Sequence, residues 1–450
     1  MTILELHEAY VTRRLSPVEV LGERLNALDA WQARTRLFVS VDADRALEEA
    51  RASEARYRKG EPLSQLDGIL VGLKDLIDAA GEVTTAGSGL RLGAVATKDA
   101  PVVERLRTRG ANLRLGKLNL HEFAYGPTGA SSYFGAVGNP YDPTRMSGGS
   151  SSGSAVAVAS GLMSAALGTD TGGSVRIPSA WCGISGLKPT YGAVSRTGVV
   201  PLSWSLDHVG PMARTVADVR ILFEAMAGRP REGSLSGRKV RLFWPDNTAC
   251  YEPGLEEHVS RAIEAVAQSL SAEVSRGPLP ELENIWLAQT IIIGSEALSY
   301  HWTDLEARRD QYQPDVAERL AAGGAHLAVE YLAALRFRQA VAARYDEWLK
   351  EYDAIILPAV PIAPPSLSAV TVPAPSGAAE DVRAVATRYT NPFNLLGLPA
   401  LSIPWGLHNG FPVGLQLVGR RDGDGQLLNL GEAIQERFPD SIPTPPAAAV

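Results

Sequence analysis

Residues 146–176 read MSGGSSSGSAVAVASGLMSAALGTDTGGSVR and place two serine–glycine clusters on either side of a run of small apolar residues. Glycine lets the backbone adopt positive φ and approach a bound group closely. Serine hydroxyls and main-chain N–H groups stay unobstructed in such loops. The stretch therefore favours either acyl chemistry or the binding of an anion.

The run between the clusters predicts a buried helix over residues 153–167. It is rich in alanine, valine and serine and carries no charged residue, and a helix without a polar face is normally buried. Residues 148–152 would then form the loop at the N-terminus of a central helix.

Outward from this run, helical and strand patterns alternate. Helices are predicted over residues 2–13 and 17–33, and Ser16, Pro17 and Glu19 open the second one with a capping box. Further predicted helices cover residues 41–59, 101–109, 256–270 and two stretches within 314–350, and predicted strands cover residues 68–74, 111–115, 240–244, 353–358, 391–405 and 412–418. The alternation predicts a layered α/β sheet.

The overall composition is that of an ordinary globular protein. Of 450 residues, 45% are hydrophobic and 21% charged, and the net charge is −7 from 43 basic and 50 acidic residues. A negative net charge, without a basic cluster interleaved with aromatics, leads us to expect no nucleic-acid partner.

Two cysteines, Cys182 and Cys250, are too few for a disulfide framework, and no metal-ligand spacing occurs. We therefore expect neither a metal nor a cofactor. The N-terminus has no basic segment followed by an apolar one, and no run of about 18 apolar residues occurs. We expect a cytoplasmic protein without a membrane span.

Candidate nucleophiles are the serines of the two clusters, above all Ser150, Ser151 and Ser174. A serine hydroxyl needs a base to take its proton. His121 and His208 lie outside the serine loops, but folding can bring either close, so a Ser-His-Asp site stays open. Residues 149–153 also match the nucleophile-elbow pattern around Ser151. This match has low specificity, because it occurs readily by chance in a stretch rich in serine and glycine.

Lysine is the other candidate base. Lys74 ends the apolar run GILVGLK, and a buried amine with a lowered pKa can accept a serine proton. The plainer alternative is that Lys74 reaches solvent or pairs with Asp75 or Asp78. Likewise, Ser174 could be a simple turn residue and Ser150 a helix cap.

Taken together, these motifs resemble the amidase signature family. The resemblance lies in GGSSSG at 148–153, the small-residue run and GTDTGGSVRIP at 168–178, and continues through residues 181–215. It also includes VGLKDLID at 71–78, GKLNLHEFAYG at 116–126, NLLGLPALSIP at 394–404 and GFPVGLQLVGR at 410–420. One departure is Ser152, where the family more usually has glycine.

The resemblance implies a Ser–cis-Ser–Lys triad. Matched by position, the nucleophile is Ser174, the bridging serine is Ser150 and the lysine is Lys74. Lys74 as a neutral amine would take a proton from Ser150, and Ser150 would take one from Ser174.

The resemblance also implies supporting roles for the residues around Ser174. The main-chain N–H groups expected to bind the oxyanion are those of Thr171, Gly172, Gly173 and Ser174. Asp170 and Arg176 are expected to form an ion pair that shapes the loop. Ser151 is expected to support the same loop.

The resemblance also implies the architecture. We expect an α/β fold in a single large domain, with a central twisted mixed β-sheet covered by helices on both faces. Residues 1–60 would form an N-terminal helical layer, 61–220 the signature core, 221–440 the remainder of the domain and 441–450 a flexible tail.

The favoured function is a stand-alone amidase that hydrolyses a carboxylic amide to an acid plus ammonia or an amine through a seryl acyl-enzyme. Its expected partner is a small-molecule amide, with no nucleic acid and no membrane, and a homodimer stays open. The alternative is the glutaminase-type A subunit of a tRNA-dependent amidotransferase. Against it, residues 314–345 lack a tyrosine-rich basic segment, and His121 stands where that subunit usually has aspartate.

A non-enzymatic hypothesis also remains, in which the glycine loops form an anion-binding nest without turnover. A lysine in an apolar strand, as at Lys74, disfavours it. The acyl pocket is expected among residues 121–134, 200–208 and 295–370, with Tyr125, Thr128 and Trp204 as candidate substrate contacts.

Overall fold

Thirteen strands form a large sheet and a small hairpin in the residues that the computed structural model describes, 1–228 and 239–447. They are β1 Phe38–Val41, β2 Val71–Lys74, β3 Gly116–Leu118, β4 Ala165–Asp170, β5 Ser185–Lys188, β6 His208–Ala213, β7 Arg241–Pro245, β8 Glu273–Gly277, β9 Ala354–Pro358, β10 Thr371–Pro373, β11 Ala379–Asp381, β12 Ala400–His408 and β13 Phe411–Val418. The 11-stranded sheet has the order β1-β3-β2-β4-β6-β5-β12-β13-β9-β7-β8, and β10 pairs with β11.

The sheet is mixed. Strands β3, β2 and β4 run parallel to one another, as do β9, β7 and β8, and the strands between these groups pair antiparallel. The helices are α1 Ile3–Val11, α2 Pro17–Thr35, α3 Ala43–Lys59, α4 Pro101–Arg107, α5 Ser152–Ala159, α6 Arg176–Cys182, α7 Val216–Ala227, α8 Pro253–Ser269, α9 Leu282–Arg308, α10 Pro314–Ala322, α11 Ala328–Trp348, α12 Val382–Thr387, α13 Asn391–Leu395 and α14 Asp424–Arg437.

Hydrophobic cores lie on both faces of the sheet. Successive side chains of a strand point to opposite faces. Accordingly, Ala165 and Leu167 of β4 join a core with α1, α4, α7, α8 and α14, whereas Ala166 joins a core with α2, α3 and α5. The expected single α/β domain, with helices on both faces of a mixed sheet, is confirmed.

The N-terminal helices form where the sequence predicts them. In α2, the Glu19 N–H donates to Ser16 Oγ at 3.2 Å, and the Ser16 N–H donates to Glu19 Oε2 at 2.8 Å, which completes the capping box. The segment between α2 and α3 also supplies β1, which pairs antiparallel with β3. The N-terminal layer therefore extends the sheet by one edge strand.

Three predicted elements differ from the structure. The buried helix ends at Ala159 rather than at residue 167, because Gly161 adopts a φ of +77° and the chain then enters β4. The strand expected over 111–115 lies instead at β3, and Asn112 makes only an isolated bridge to Leu70. Residues 391–395 form the short helix α13, so that strand begins at Ala400.

Part of the C-terminal segment 441–450, which was expected to be a flexible tail, packs against the domain. Pro443 and Pro445 are buried, and Arg214 Nη2 donates to Thr444 Oγ1 at 3.1 Å. Residues 448–450 of the predicted tail lie outside the described residues. Within the described ranges, no helix is both long and apolar enough to cross a membrane.

Candidate active site

The two serine–glycine loops and strand β2 meet at one edge of the sheet, where two parallel strands end. Lys74 is the last residue of β2, and β4 runs beside it with Leu73 opposite Leu167. The chain leaves β4 at Asp170 and reaches Ser174 four residues later. The carboxyl ends of neighbouring parallel strands therefore bring the expected lysine and the expected nucleophile to the same edge.

Lys74 is completely buried and is held by two hydroxyl groups. Its Nζ lies 2.7 Å from Ser150 Oγ and 2.7 Å from Thr169 Oγ1. Burial lowers the pKa of Lys74 well below its usual 10.5, while the negative charges of Asp170 and Asp207 act in the opposite direction. A neutral amine here can donate to Thr169 and accept the proton of Ser150. The structure thus excludes the solvent-facing alternative for Lys74.

Ser150 follows a cis peptide bond to Gly149, as the resemblance implies. Its carbonyl accepts a hydrogen bond from the His121 N–H at 3.2 Å, and the Gly149 N–H donates to Pro127 O at 2.7 Å. These contacts fix the loop before α5 to the segment that follows β3.

Ser174 lies at the wall of a cavity of about 470 Å³ and is 7% exposed. Its carbonyl accepts the Ser151 N–H at 3.2 Å, so the N-terminus of α5 is joined directly to the loop after β4. The Ser151 hydroxyl donates to Thr169 O at 3.2 Å. Ser151 therefore holds the two loops together instead of facing the cavity, which disfavours it as the centre of a nucleophile elbow.

One of the four expected oxyanion donors is already occupied. The Gly173 N–H donates to Asp170 Oδ1 at 2.8 Å, so the structure does not support Gly173 as an oxyanion donor. Within residues 1–228 and 239–447, no hydrogen bond occupies the N–H groups of Thr171, Gly172 or Ser174. These three donors remain available beside the Ser174 hydroxyl.

Asp170 and Arg176 form a completely buried ion pair, with Arg176 Nη2 2.9 Å from Asp170 Oδ1. Burial alone would raise the pKa of Asp170, but the charge and hydrogen bonds of Arg176 hold it below the usual range. Asp170 also accepts hydrogen bonds from the main chain of Gly173 and Val175. The pair therefore shapes the loop that carries Ser174.

The three predicted substrate contacts lie at different places in the structure. Tyr125 lines the cavity at Ser174, whereas Trp204 lines a second cavity of about 420 Å³. The two cavities share Ala124, Thr171 and Leu202. Thr128 lines neither of them; its Oγ1 lies 3.3 Å from His121 Nδ1, so its expected substrate contact is not supported.

Neither histidine considered as a base contacts a serine hydroxyl in the described residues. His208 Nδ1 lies 3.1 Å from Asp170 O, and its Nε2 lies 3.3 Å from Lys188 Nζ. His121 Nε2 lies 3.3 Å from Asp315 Oδ2. Burial lowers the pKa of both imidazoles. The Ser-His-Asp alternative therefore has no geometric support.

Comparison with known proteins agrees with this arrangement. The family model described as Amidase matches residues 19–428. The chain belongs to the amidase family. Its expected resemblance to the amidase signature family is thereby confirmed.

The relatives of this amidase are similar over nearly their whole length. The A subunit of glutamyl-tRNA(Gln) amidotransferase from Chloroflexus aggregans is 36% identical, over 97% of this chain and 96% of that protein. A crystal structure of an amidase aligns with a TM-score of 0.88 and 37% identity, over 97% of this chain and all of that chain. The A subunit of glutamyl-tRNA(Gln) amidotransferase from Thermotoga maritima aligns with a TM-score of 0.79 and 30% identity, over 100% and 98% of the two chains.

These relatives correct the expected partners of the amidase. Proteins named as the A subunit of a glutamyl-tRNA(Gln) amidotransferase are parts of an assembly named for a tRNA. The expectation of a small-molecule amide alone, without nucleic acid and with only a homodimer left open, is therefore wrong. The same names favour the A-subunit alternative over the stand-alone amidase.

The amidase site contains residues that the sequence analysis missed. Thr169 binds Lys74, and Thr171 Oγ1 donates to the partly buried Asp207 at 2.6 Å. Gln289 and Arg319 line the cavity at Ser174. Thr169 and Asp207 lie within the motifs at 168–178 and 181–215, so the sequence does carry a signal for them. Gln289 and Arg319 lie on α9 and α10, where no local pattern distinguishes them from other helix residues.

Proposed function

We propose that the chain hydrolyses a carboxylic amide through an acyl-enzyme on Ser174, with Ser150 and Lys74 as the proton relay. The observation that carries the proposal is the position of the buried Lys74 Nζ, 2.7 Å from Ser150 Oγ. Burial favours the neutral amine, which is the form that accepts a proton. The relay supplies every proton transfer that the hydrolysis requires.

In the first half-reaction, Ser174 Oγ attacks the amide carbon as its proton passes to Ser150, and the Ser150 proton passes to Lys74. The free N–H groups of Thr171, Gly172 and Ser174 stabilise the negative oxygen. When the C–N bond breaks, the nitrogen takes a proton back from Ser150, and Ser150 recovers one from Lys74. Water then attacks the ester by the same relay and releases the acid and the free serine.

We further propose that the amide is glutamine and that the chain acts as an A subunit of a glutamyl-tRNA(Gln) amidotransferase. The relatives with that name support this role. A role in tRNA-dependent synthesis would place the protein in the cytoplasm.

Arg319 supports a substrate that carries a carboxylate. Its Nη1 donates to Tyr125 O at 2.5 Å, and its guanidinium lies 4.0 Å from the centre of the Tyr125 ring. No carboxylate oxygen of the described residues lies within 4.0 Å of its guanidinium nitrogens, although Asp315 and Asp381 are near enough to favour its charge. A cavity wall with a cation that lacks an ion pair fits the α-carboxylate of glutamine.

A second candidate is the hydrolysis of other carboxylic amides by the isolated chain. The solved amidase favours it, because that structure aligns with a TM-score of 0.88 against 0.79 for the Thermotoga maritima protein. The two candidates share the chemistry at Ser174 and differ in the amide and in the fate of the ammonia.

The test of the chemistry is the Ser174→Ala variant. Ammonia release from any amide that the wild-type protein cleaves should fall to background, because the acyl-enzyme cannot form. The circular dichroism spectrum and melting temperature should stay close to wild type. A Ser174→Ala protein that keeps the wild-type rate would exclude the proposed nucleophile.

The test of the role compares ammonia release from glutamine by the chain alone and by the chain mixed with the other amidotransferase subunits and glutamyl-tRNA. Stimulation by these partners, with formation of glutaminyl-tRNA, is expected for this role. Efficient cleavage of simple amides, with no response to the partners, would instead establish the second candidate.

A further inference from the structure

Gln289 joins helix α9 to the loop that carries Ser174. The residue is 1% exposed and lies on the buried face of α9. Its Nε2 donates to the carbonyl oxygen of Thr171 at 2.9 Å. Gln289 also lines the cavity at Ser174.

The carboxamide oxygen of Gln289 is a buried acceptor without a donor. Within the described residues, its Oε1 makes no hydrogen bond. The orientation of the carboxamide is fixed by chemistry, since a carbonyl oxygen only accepts and therefore requires the NH₂ group of Gln289 to face Thr171. Leaving such an acceptor buried and unpaired is unfavourable, because it has lost its hydrogen bonds to water without replacing them.

We infer that Gln289 is a specificity-determining residue whose Oε1 accepts a hydrogen bond from an N–H group on the acyl part of the substrate. The inference rests on the proposed amide hydrolysis at Ser174. Of the two cavities described above, only this one has Ser174 in its wall, so we assign the acyl part to it. A donor on the acyl part would satisfy the acceptor that the protein leaves open.

The cavity thus offers complementary groups for an amino acid. Gln289 Oε1 accepts from an N–H, and Arg319 provides a cation without an ion pair for a carboxylate. An amide whose acyl part carries both an amino group and a carboxylate matches both groups. An amide of the same length without the amino group would leave Gln289 Oε1 unpaired.

The experiment compares two substrates that differ only in that amino group. Glutamine and glutaramate share the terminal amide, the chain length and the carboxylate, and only glutamine has the ammonium. For the wild-type protein, kcat/KM for glutamine should exceed that for glutaramate by about 10- to 100-fold, as expected for one hydrogen bond to a charged group. In Gln289→Met this preference should fall to within about threefold of unity.

Two further variants separate specificity from folding. Gln289→Glu keeps an acceptor at the same place and should retain a preference for glutamine even if its rate falls. Gln435→Met is the matched control, because Gln435 is also a buried glutamine, bonded to Val216 N and Ser185 Oγ and remote from both cavities. It should lower the melting temperature and leave the substrate ratio unchanged.

An unchanged ratio in a folded Gln289→Met would overturn the inference and restrict Gln289 to holding Thr171. Equal rates of the wild-type protein on the two substrates would overturn it as well, and the proposed hydrolysis would stand. If the wild-type protein cleaves neither substrate but cleaves simple amides, the glutamine role fails. The ratio of kcat/KM for alaninamide to that for propionamide, measured in wild type and in Gln289→Met, then tests the inference about Gln289. If it cleaves none of the four, the proposed function fails and the inference fails with it.

Discussion

Lys74 is the last residue of strand β2, and its amine is completely buried. The neighbours of this amine are hydroxyl groups rather than carboxylates. Lys74 Nζ contacts Ser150 and Thr169, and no carboxylate of the described residues lies within 4.0 Å of it. The nearby Lys117 differs in this respect, because its Nζ lies 3.2 Å from Asp75 Oδ1. The two buried lysines lie on adjacent strands but serve different purposes, because among the described residues Lys117 has an ion pair and Lys74 has none.

Lys74→Met tests the role of the unpaired amine. Without the base, kcat should fall by about 10²–10⁴-fold. In wild type, the rate of acylation should also fall as the pH drops through the lowered pKa of Lys74, because protonation removes the acceptor. Measurement of kcat against pH for both proteins checks this, and Lys117→Met should lose stability but keep most of its kcat.

The same substitution has a predictable effect on stability. Because the pKa of Lys74 is lower in the folded protein than its usual 10.5, the unfolded chain binds more protons between these two values. Wild-type stability should therefore rise with pH across that window. Lys74→Met removes this contribution, so its stability relative to wild type should decline as the pH rises from the lowered pKa of Lys74 towards 10.5. Urea unfolding at several pH values would show a difference independent of pH if Lys74 were charged in the folded state.

At the residue level, the sequence predicts those side chains that belong to contiguous motifs. Ser150, Ser174 and Lys74 are recognisable because each stands in a stretch of unusual composition. Gln289 and Arg319 are not, because their significance depends on long helices packing over the cavity. The hydrogen bond from the Gly173 N–H to the Asp170 carboxylate is likewise not predictable, since it depends on the φ and ψ angles of the loop.

At the level of elements, helix α5 connects the two serine clusters, and its packing depends on Gly153. A Cβ atom at Gly153 would lie 2.6 Å from Asn119 O and 2.7 Å from Asn119 N, inside van der Waals contact with rigid backbone. The helix therefore packs against the segment after β3 more closely than any side chain permits. This close approach holds Ser151 against the loop that carries Ser174.

Gly153→Ala should consequently displace the N-terminus of α5, lower the melting temperature by several degrees and reduce kcat by more than tenfold. Gly22→Ala is the matched control within a helix, because a Cβ atom there meets nothing within 4 Å. It should raise stability by about 0.5–1 kcal/mol, since alanine favours the helix. Thermal unfolding and steady-state rates check both variants, and equal behaviour of the two would refute the packing argument.

The elements that the sequence predicts best are those with local signals. The capping boxes and hydrophobic spacing of α2 are read directly from the chain, as is the burial of α5. The boundary between α5 and β4 is not, because the residues on both sides of Gly161 are uncharged and mostly apolar, without a local stop signal beyond the glycine itself. The helix α9 was missed because it has buried positions on several sides and no clear polar face.

At the level of the whole molecule, Arg176 connects segments far apart in the chain. Its guanidinium binds Asp170 at the end of β4, Thr390 O and Asn394 Oδ1 around α13, and Gln416 Oε1 in β13. Side chains more than 200 positions away therefore position the loop of Ser174. The motif predicts the ion pair between Asp170 and Arg176, but it does not predict these long-range contacts.

Arg176→Met should destabilise the protein by about 3–5 kcal/mol, because it leaves the Asp170 carboxylate buried without its cation. Arg45→Met removes a surface pair with Asp42 and is the matched control, with an expected loss below about 1 kcal/mol. Urea unfolding midpoints measure both. Similar small losses would show that the buried pair does not stabilise the folded protein.

Identification of the residue that carries the acyl group tests the role of Ser174 most directly. The enzyme is quenched with acid during turnover of an amide that it cleaves, and its peptides are mapped by mass spectrometry. The mass of the acyl group is expected on Ser174, and it should be absent in Ser174→Ala and greatly reduced in Lys74→Met. An acyl group on Ser150, Ser151 or any other residue, with Ser174 unmodified, would contradict this role.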